Sequence, residues 1–174
     1  MRREELIEQY KQLHASKPYG RSSELKARYV QRELMYLDTV DTILDFGCGQ
    51  SRLVDWLAKM SDAQGLRYDP AIPAYDTKPT VPCDAVVCTD VLEHIPEENV
   101  ISFLQDIRAI TQNAYFNVSI RAAIEILPNG ENAHCTVKPA DWWGQKIADV
   151  FGFARRSSSN DSTAVTWVTW RKPE

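Results

Sequence analysis

The sequence predicts an α/β fold around a mostly parallel central sheet, and three observations carry that reading. In residues 42–52, TILDFGCGQSR, an apolar pair ends in Asp45, two glycines follow, and Leu53, Val54, Trp56 and Leu57 then recur at helical spacing. That is a strand, a tight turn and the start of a helix. Residues 84–89, DAVVCT, form a short β-branched apolar run, the pattern of a central parallel strand buried on both faces. Strand-like and helix-like segments alternate along the rest of the chain, the order that builds a parallel sheet. The expectation is one domain over 1–174, with a helical cover at 1–38 and an α/β core at 40–171.

Each element has its own signal. Leu6, Ile7, Tyr10 and Leu13 share one face of an amphipathic helix over residues 3–16, which Pro18-Tyr19-Gly20 ends. Ser22 or Ser23 can cap a second helix with Leu25, Tyr29, Val30, Leu34 and Leu37 as its stripe. After the glycine turn a helix runs to Lys59, and residues 64–68 make a short strand ending at Asp69-Pro70. Pro73, Pro79 and Pro82 leave room only for a shortened connection at 71–82. Pro96 opens a helix with Val100, Ile101, Leu104, Ile107 and Ile110 inward, and residues 113–120 form the next strand. Residues 121–139 read as a loop framing a pocket. A last helix carries Trp142 and Trp143, as core or pocket wall, and Gly152 caps it. Residues 153–157 and 164–171 form a closing antiparallel hairpin.

Composition narrows the partners. An apolar fraction of 44% and a charged fraction of 25% describe an ordinary globule. Twenty basic against twenty-four acidic residues, net −4, argue against a broad nucleic-acid or anionic-membrane surface. No apolar run approaches the ~18 residues of a spanning helix, and the charged opening MRREELIEQYKQ reads against a secretory leader. Cys48, Cys83, Cys88 and Cys135 are scattered without CxxC pairs, which points to reduced thiols in a cytoplasmic protein rather than a zinc site. Oligomeric state is not legible here.

The glycine turn suits a nucleotide-like ligand with a carboxylate or phosphate. Glycine lets a ligand approach the backbone, and the helix that follows aims unpaired N–H groups at the same spot. Two common versions are excluded. A dinucleotide turn wants GxGxxG, and Arg52 stands where the third glycine belongs; no phosphate-binding lysine follows, as a P-loop requires. Asp69, about twenty residues beyond Gly49, stands where a strand-end carboxylate accepts ribose hydroxyls.

Residues 45–51, DFGCGQS, resemble the first motif, DxGxGxG, of class I S-adenosylmethionine (SAM)-dependent methyltransferases, with Ser51 in place of the last glycine. Residues 90–96, DVLEHIP, resemble the DxLEHI segment after the fourth strand in many of these enzymes acting on small molecules, lipids, quinones and some RNAs. The resemblance covers roughly 40–171. It implies a Rossmann-like class I methyltransferase fold with a shortened region around the third strand, two N-terminal covering helices and SAM as cofactor. It implies methyl transfer to a small or medium soluble acceptor by in-line displacement. Asp45, Gly47, Cys48, Gly49 and Ser51 then form the cofactor turn. Asp69 and Pro70 hold the ribose, and Thr89, Asp90 and Val91 lie beside the sulfonium. Tyr19 and Arg21 are lid candidates at the methionine end, and Asp76 is a candidate for the adenine. No NPPY-type segment is present, which argues against a nucleobase amine as acceptor.

The cofactor carries the activated methyl, so the protein chiefly aligns the acceptor and excludes water. A base is needed only for a protonated oxygen or nitrogen; His94 and His134 are the candidates, with Asp90 beside them. Two other readings are open. One is a SAM-binding regulatory or scaffold protein without catalysis, given the short chain. The other takes Asp90, Glu93, His94 and a distant His134 as similar to the set by which small-RNA 3′-terminal 2′-O-methyltransferases hold a divalent metal. Asp stands where those enzymes use Glu, and no metal is expected.

Overall fold

The structure is a computed structural model and describes residues 3–16, 21–158 and 161–173. Six strands form one sheet in the order β2-β1-β3-β4-β6-β5. These are β1 (Thr42–Phe46), β2 (Gln64–Tyr68), β3 (Ala85–Thr89), β4 (Ala114–Ser119), β5 (Arg155–Ser157) and β6 (Ala164–Val168). The first four run parallel, with Ile43 opposite both Gly65 and Ala85, and Val87 opposite Tyr115. β6 pairs antiparallel with β4 and β5, the hairpin expected at the C-terminal end.

Alternation along the strands separates two cores. On one face Leu44, Val86, Cys88 and Phe116 meet Leu104 and Ile107 of α5 (Val100–Arg108) and Trp143 and Ile147 of α6 (Ala140–Phe151). On the other, Ile43, Ala85, Val87 and Tyr115 meet Val30 and Leu34 of α3 (Ala27–Leu34) and Leu53 and Leu57 of α4 (Leu53–Ser61). A strand covered on both faces has no side to leave polar, which is why β3 reads as unbroken apolar sequence. Trp143 lies wholly inside this core and Trp142 packs against it edge-on; neither reaches the cavity described below.

Three expectations are corrected. The second helix is two: α2 (Arg21–Glu24) and α3, separated by a turn. Leu25 falls in that turn and is 82% exposed instead of joining the apolar stripe. Before α5, Pro96 opens a 3₁₀ turn at Glu97–Asn99, and the α-helix itself begins at Val100. Residues 71–82 hold no strand, in line with their prolines. α1 (Arg3–Ser16) packs Leu6 and Leu13 on Leu127 and Ala133 of the 121–139 loop, a third small core that makes it a cover over the open end of the sheet. Among the described residues no helix is long and apolar enough to cross a membrane.

Gly152 ends α6 with φ +77 and open space around the position of a Cβ. Gly152→Ala therefore tests backbone conformation alone. It should cost about 1 kcal/mol of stability in urea unfolding, with ligand binding unchanged.

Candidate active site

β1 leads outward to β2, and the chain then crosses back to β3 on the other side of β1, so strand order reverses between β1 and β3. Open α/β sheets bind ligands beyond the strand ends at such a point. A cavity of about 550 Å³ lies there, within the range of small-molecule sites. Gly47, Gly49, Asp69, Pro70, Thr89, Asp90, Val91, His94 and His134 all line it, so one space collects most of the residues expected at the site.

The two turns at its floor are built for each other. Gly47 has φ +85, and a Cβ there would stand 2.5 Å from Cγ2 of Val91. Gly47 is thus required twice, by its backbone and by the approach of the segment after β3. Asp69 supports the same turn from β2. Its Oδ2 accepts from the Gly49 N–H and its Oδ1 from the Ala71 N–H, each at 2.8 Å. An ionised carboxylate has about four acceptor positions, so two backbone bonds leave capacity for ribose hydroxyls.

Asp45, Cys48 and Ser51 do not border the cavity. Cys48 is buried, and Ser51 accepts from the Leu53 N–H through Oγ, holding the first turn of α4. Asp45 is buried beneath the turn, and its Oδ2 has no hydrogen-bond partner among the described residues. Burial pushes its carboxyl up to about 7. The folded value lies above the unfolded one, so this stabilisation is complete below about pH 4 and is lost as pH rises through 7. Relative to the parent, Asp45→Asn should therefore gain stability between pH 5 and pH 8 in urea unfolding of the ligand-free protein. Asp76 is exposed and does not line the cavity. Tyr19 and the side chain of Arg21 lie outside the described residues.

Asp90 takes a left-handed backbone, φ +57, rare for a residue with a Cβ. Its Oδ2 accepts from Lys26 Nζ at 2.6 Å and Ser22 Oγ at 2.9 Å. Lys26 was not singled out from sequence, and Ser22 only as a helix cap. Their spacing of four, polar and directed at one point, was the available signal.

The far wall is a polar corner. Glu93 is fully buried; Oε1 accepts from the Ser119 N–H at 2.9 Å, while Oε2 has no partner among the described residues. Burial, with Asp90 nearby, pushes its carboxyl up to about 8. His94 Nδ1 lies 2.7 Å from the Ala133 carbonyl, and Tyr10 of α1 stands 2.6 Å from the same nitrogen. Burial lowers His94 to about 4, so it is a neutral imidazole and a weaker base than expected. His134 Nδ1 lies 2.6 Å from the Arg121 carbonyl. The 121–139 loop reaches this corner because Thr136 donates through its N–H to Glu93 O and through its hydroxyl to Ile95 O.

A profile of the methyltransferase-domain family matches residues 19–149, most of the chain. The chain belongs to the methyltransferase-domain family. No curated protein sequence matches this methyltransferase domain. Its fold is shared with an O-methyltransferase family protein from Burkholderia thailandensis at 12% identity and TM-score 0.56, over 86% of this chain and 58% of that one. A 1,6-didemethyltoxoflavin N1-methyltransferase from the same organism, solved with S-adenosylhomocysteine, aligns at 11% identity and TM-score 0.58 over 85% of this chain and 76% of its own. Magnesium protoporphyrin IX methyltransferase from Synechocystis, solved with SAM, gives 16% and 0.55 over 83% and 77%. The domain thus spans little more than half the length of the first of these. At such identities the likeness is one of fold, the class I methyltransferase fold.

Proposed function

We propose that this methyltransferase domain binds SAM in the cavity at the switch point and transfers its methyl to a small oxygen- or nitrogen-containing acceptor. One observation carries the reading. The glycine turn, the Asp69 carboxylate and the Asp90-Val91 turn border one cavity that continues into the Glu93–His94–His134 corner. The first three suit a nucleoside with a charged tail, and the corner suits a polar acceptor. Leu6, Ile7, Phe103 and Ile124 line other parts of the wall, so the acceptor has an apolar body beside its reacting group.

Transfer then needs little of the protein beyond alignment and the exclusion of water. α1 supplies the cover through Tyr10, and Lys26 closes the other side through Asp90. His94 and His134 orient the acceptor in this reading. The acidic surface supports a small molecule over nucleic acid, and four free cysteines support the reducing cytoplasm.

Calorimetry with SAM and its demethylated product tests the cofactor, followed by turnover assays against pools of small hydroxylated and aminated compounds. Binding of both ligands with methyl transfer in one pool is expected. Absence of SAM binding overturns the proposal, and binding without turnover on every pool favours a regulatory protein.

A further inference from the structure

The cavity runs across the ends of the parallel strands, from Asp69 after β2, past Gly47 after β1 and Asp90 after β3, to Ser119 at the end of β4. The polar corner belongs to the β4 end, where Glu93 Oε1 accepts from the Ser119 N–H. A nucleoside carries its base and its charged tail on opposite sides of the ribose. With the sugar on Asp69 and the tail directed along the glycine turn to Asp90, the base leaves on the β2 side. Asp76, the acid expected to meet the adenine, is exposed and borders no part of the cavity.

A different polar side chain stands on that side. Phe103 of α5 meets Phe46 of β1 edge-on at 5.3 Å, and Phe46 meets Tyr68, the last residue of β2, at 4.8 Å. These contacts draw the start of α5 toward the end of β2. Asn99 lies one turn before Phe103 on the same helix face and also borders the cavity. Buried Phe46, Tyr68 and Ala71 form an apolar floor at this end. The Asn99 backbone is fully used, its N–H donating to Pro96 O at 2.8 Å and its carbonyl accepting from Ser102 Oγ at 2.9 Å. Its amide is not. A capping side chain needs an extended backbone, whereas Asn99 is already helical at φ −102 and ψ −5 and makes no cap bond. Among the described residues the amide has no hydrogen-bond partner, although the residue is half-buried.

We propose that Asn99 reads the adenine of the cofactor. An amide sets an acceptor beside a donor, and adenine offers the complement, a 6-amino group beside a ring nitrogen. Oδ1 of Asn99 accepts from the amino group and Nδ2 donates to the adjacent ring nitrogen, while the base rests on the apolar floor. The shortened 71–82 connection has no strand from which an acid could do this, so recognition passes to the first turn of α5. The role rests on the binding of SAM proposed above.

The test is calorimetry of the full chain with S-adenosylhomocysteine and with its purine analogue, which has hydrogen in place of the 6-amino group. The parent should prefer S-adenosylhomocysteine by about tenfold, the weight of one buried hydrogen bond. Asn99→Ala should bind S-adenosylhomocysteine about tenfold more weakly and lose most of the preference between the two compounds. Its unfolding midpoint should stay close to the parent's, because the amide has no partner within the fold. Asn99→Asp keeps the acceptor without the donor, so it should bind more weakly than the parent yet still prefer the 6-amino compound. Glu98→Ala, in the same turn but exposed and outside the cavity, should leave both affinities unchanged. Parent affinity for S-adenosylhomocysteine in Asn99→Ala, a preference that survives in it, or equal affinity of the parent for the two compounds overturns the proposal. A parent that binds neither compound overturns the cofactor reading as well, whereas tight binding indifferent to Asn99 overturns the adenine role alone.

Discussion

Gly47→Ala is expected to lower SAM affinity at least 100-fold and to cost about 2–3 kcal/mol of stability. Two effects add. A left-handed backbone strains any residue with a Cβ by about 1–2 kcal/mol. The new methyl also meets Val91, 2.5 Å from Cγ2, so one of the two turns must move. The movement lies where the cofactor is proposed to touch the backbone. Adding Val91→Ala makes room and should recover part of the stability, but the strained φ remains and binding recovers only in part. Calorimetry and urea unfolding of both singles and the double separate clash from strain. Wild-type affinity in Gly47→Ala would place the cofactor elsewhere.

Asp69→Ala should weaken SAM binding by a similar factor through a different cause. Removing the carboxylate leaves the Gly49 and Ala71 N–H groups without their acceptor, at about 1–3 kcal/mol for each that stays dry. It also removes the acceptor assigned to the ribose. Asp69→Asn keeps one carbonyl oxygen and the side-chain shape, and it should fall between the parent and Ala in both stability and affinity. If Asp69→Ala loses stability but binds SAM like the parent, the residue serves the turn alone and the ribose assignment fails.

Much of the fold was legible because its signals are local. The runs at 43–44 and 84–89 and the glycines between a strand and a helix are short-range patterns. The prolines at 73, 79 and 82 correctly ruled out a full helix and left no strand. Leu25 shows the limit. It sits at the right spacing for a stripe, but the helix breaks around it and the side chain points to water. Apolar residues in short segments cannot announce which turn will interrupt them.

At the site the legible part was the set of residue types near each motif. Their division of labour was not. Ser51, expected at the cofactor turn, accepts from the Leu53 N–H at the start of α4 and does not line the cavity, and Asp45 lies below the turn. Asp69 was read as a ligand-binding acid, and it is also the brace of the glycine turn. The contacts that Lys26, Ser22 and Tyr10 make at the site went unnoticed because their partners are 64, 68 and 84 positions away.

The sequence alone determined the alternation of strands and helices, the glycine turn and the presence of acid and imidazole groups beside it. Those follow from backbone sterics and the periodicity of burial, which act over a few residues. Tertiary structure decided that Gly47 abuts Val91, that Asp90 is held by the N-terminal helices, and that His134 meets Glu93 and His94. Such contacts depend on where parallel strands end and how a loop is tied down, and no local pattern encodes that.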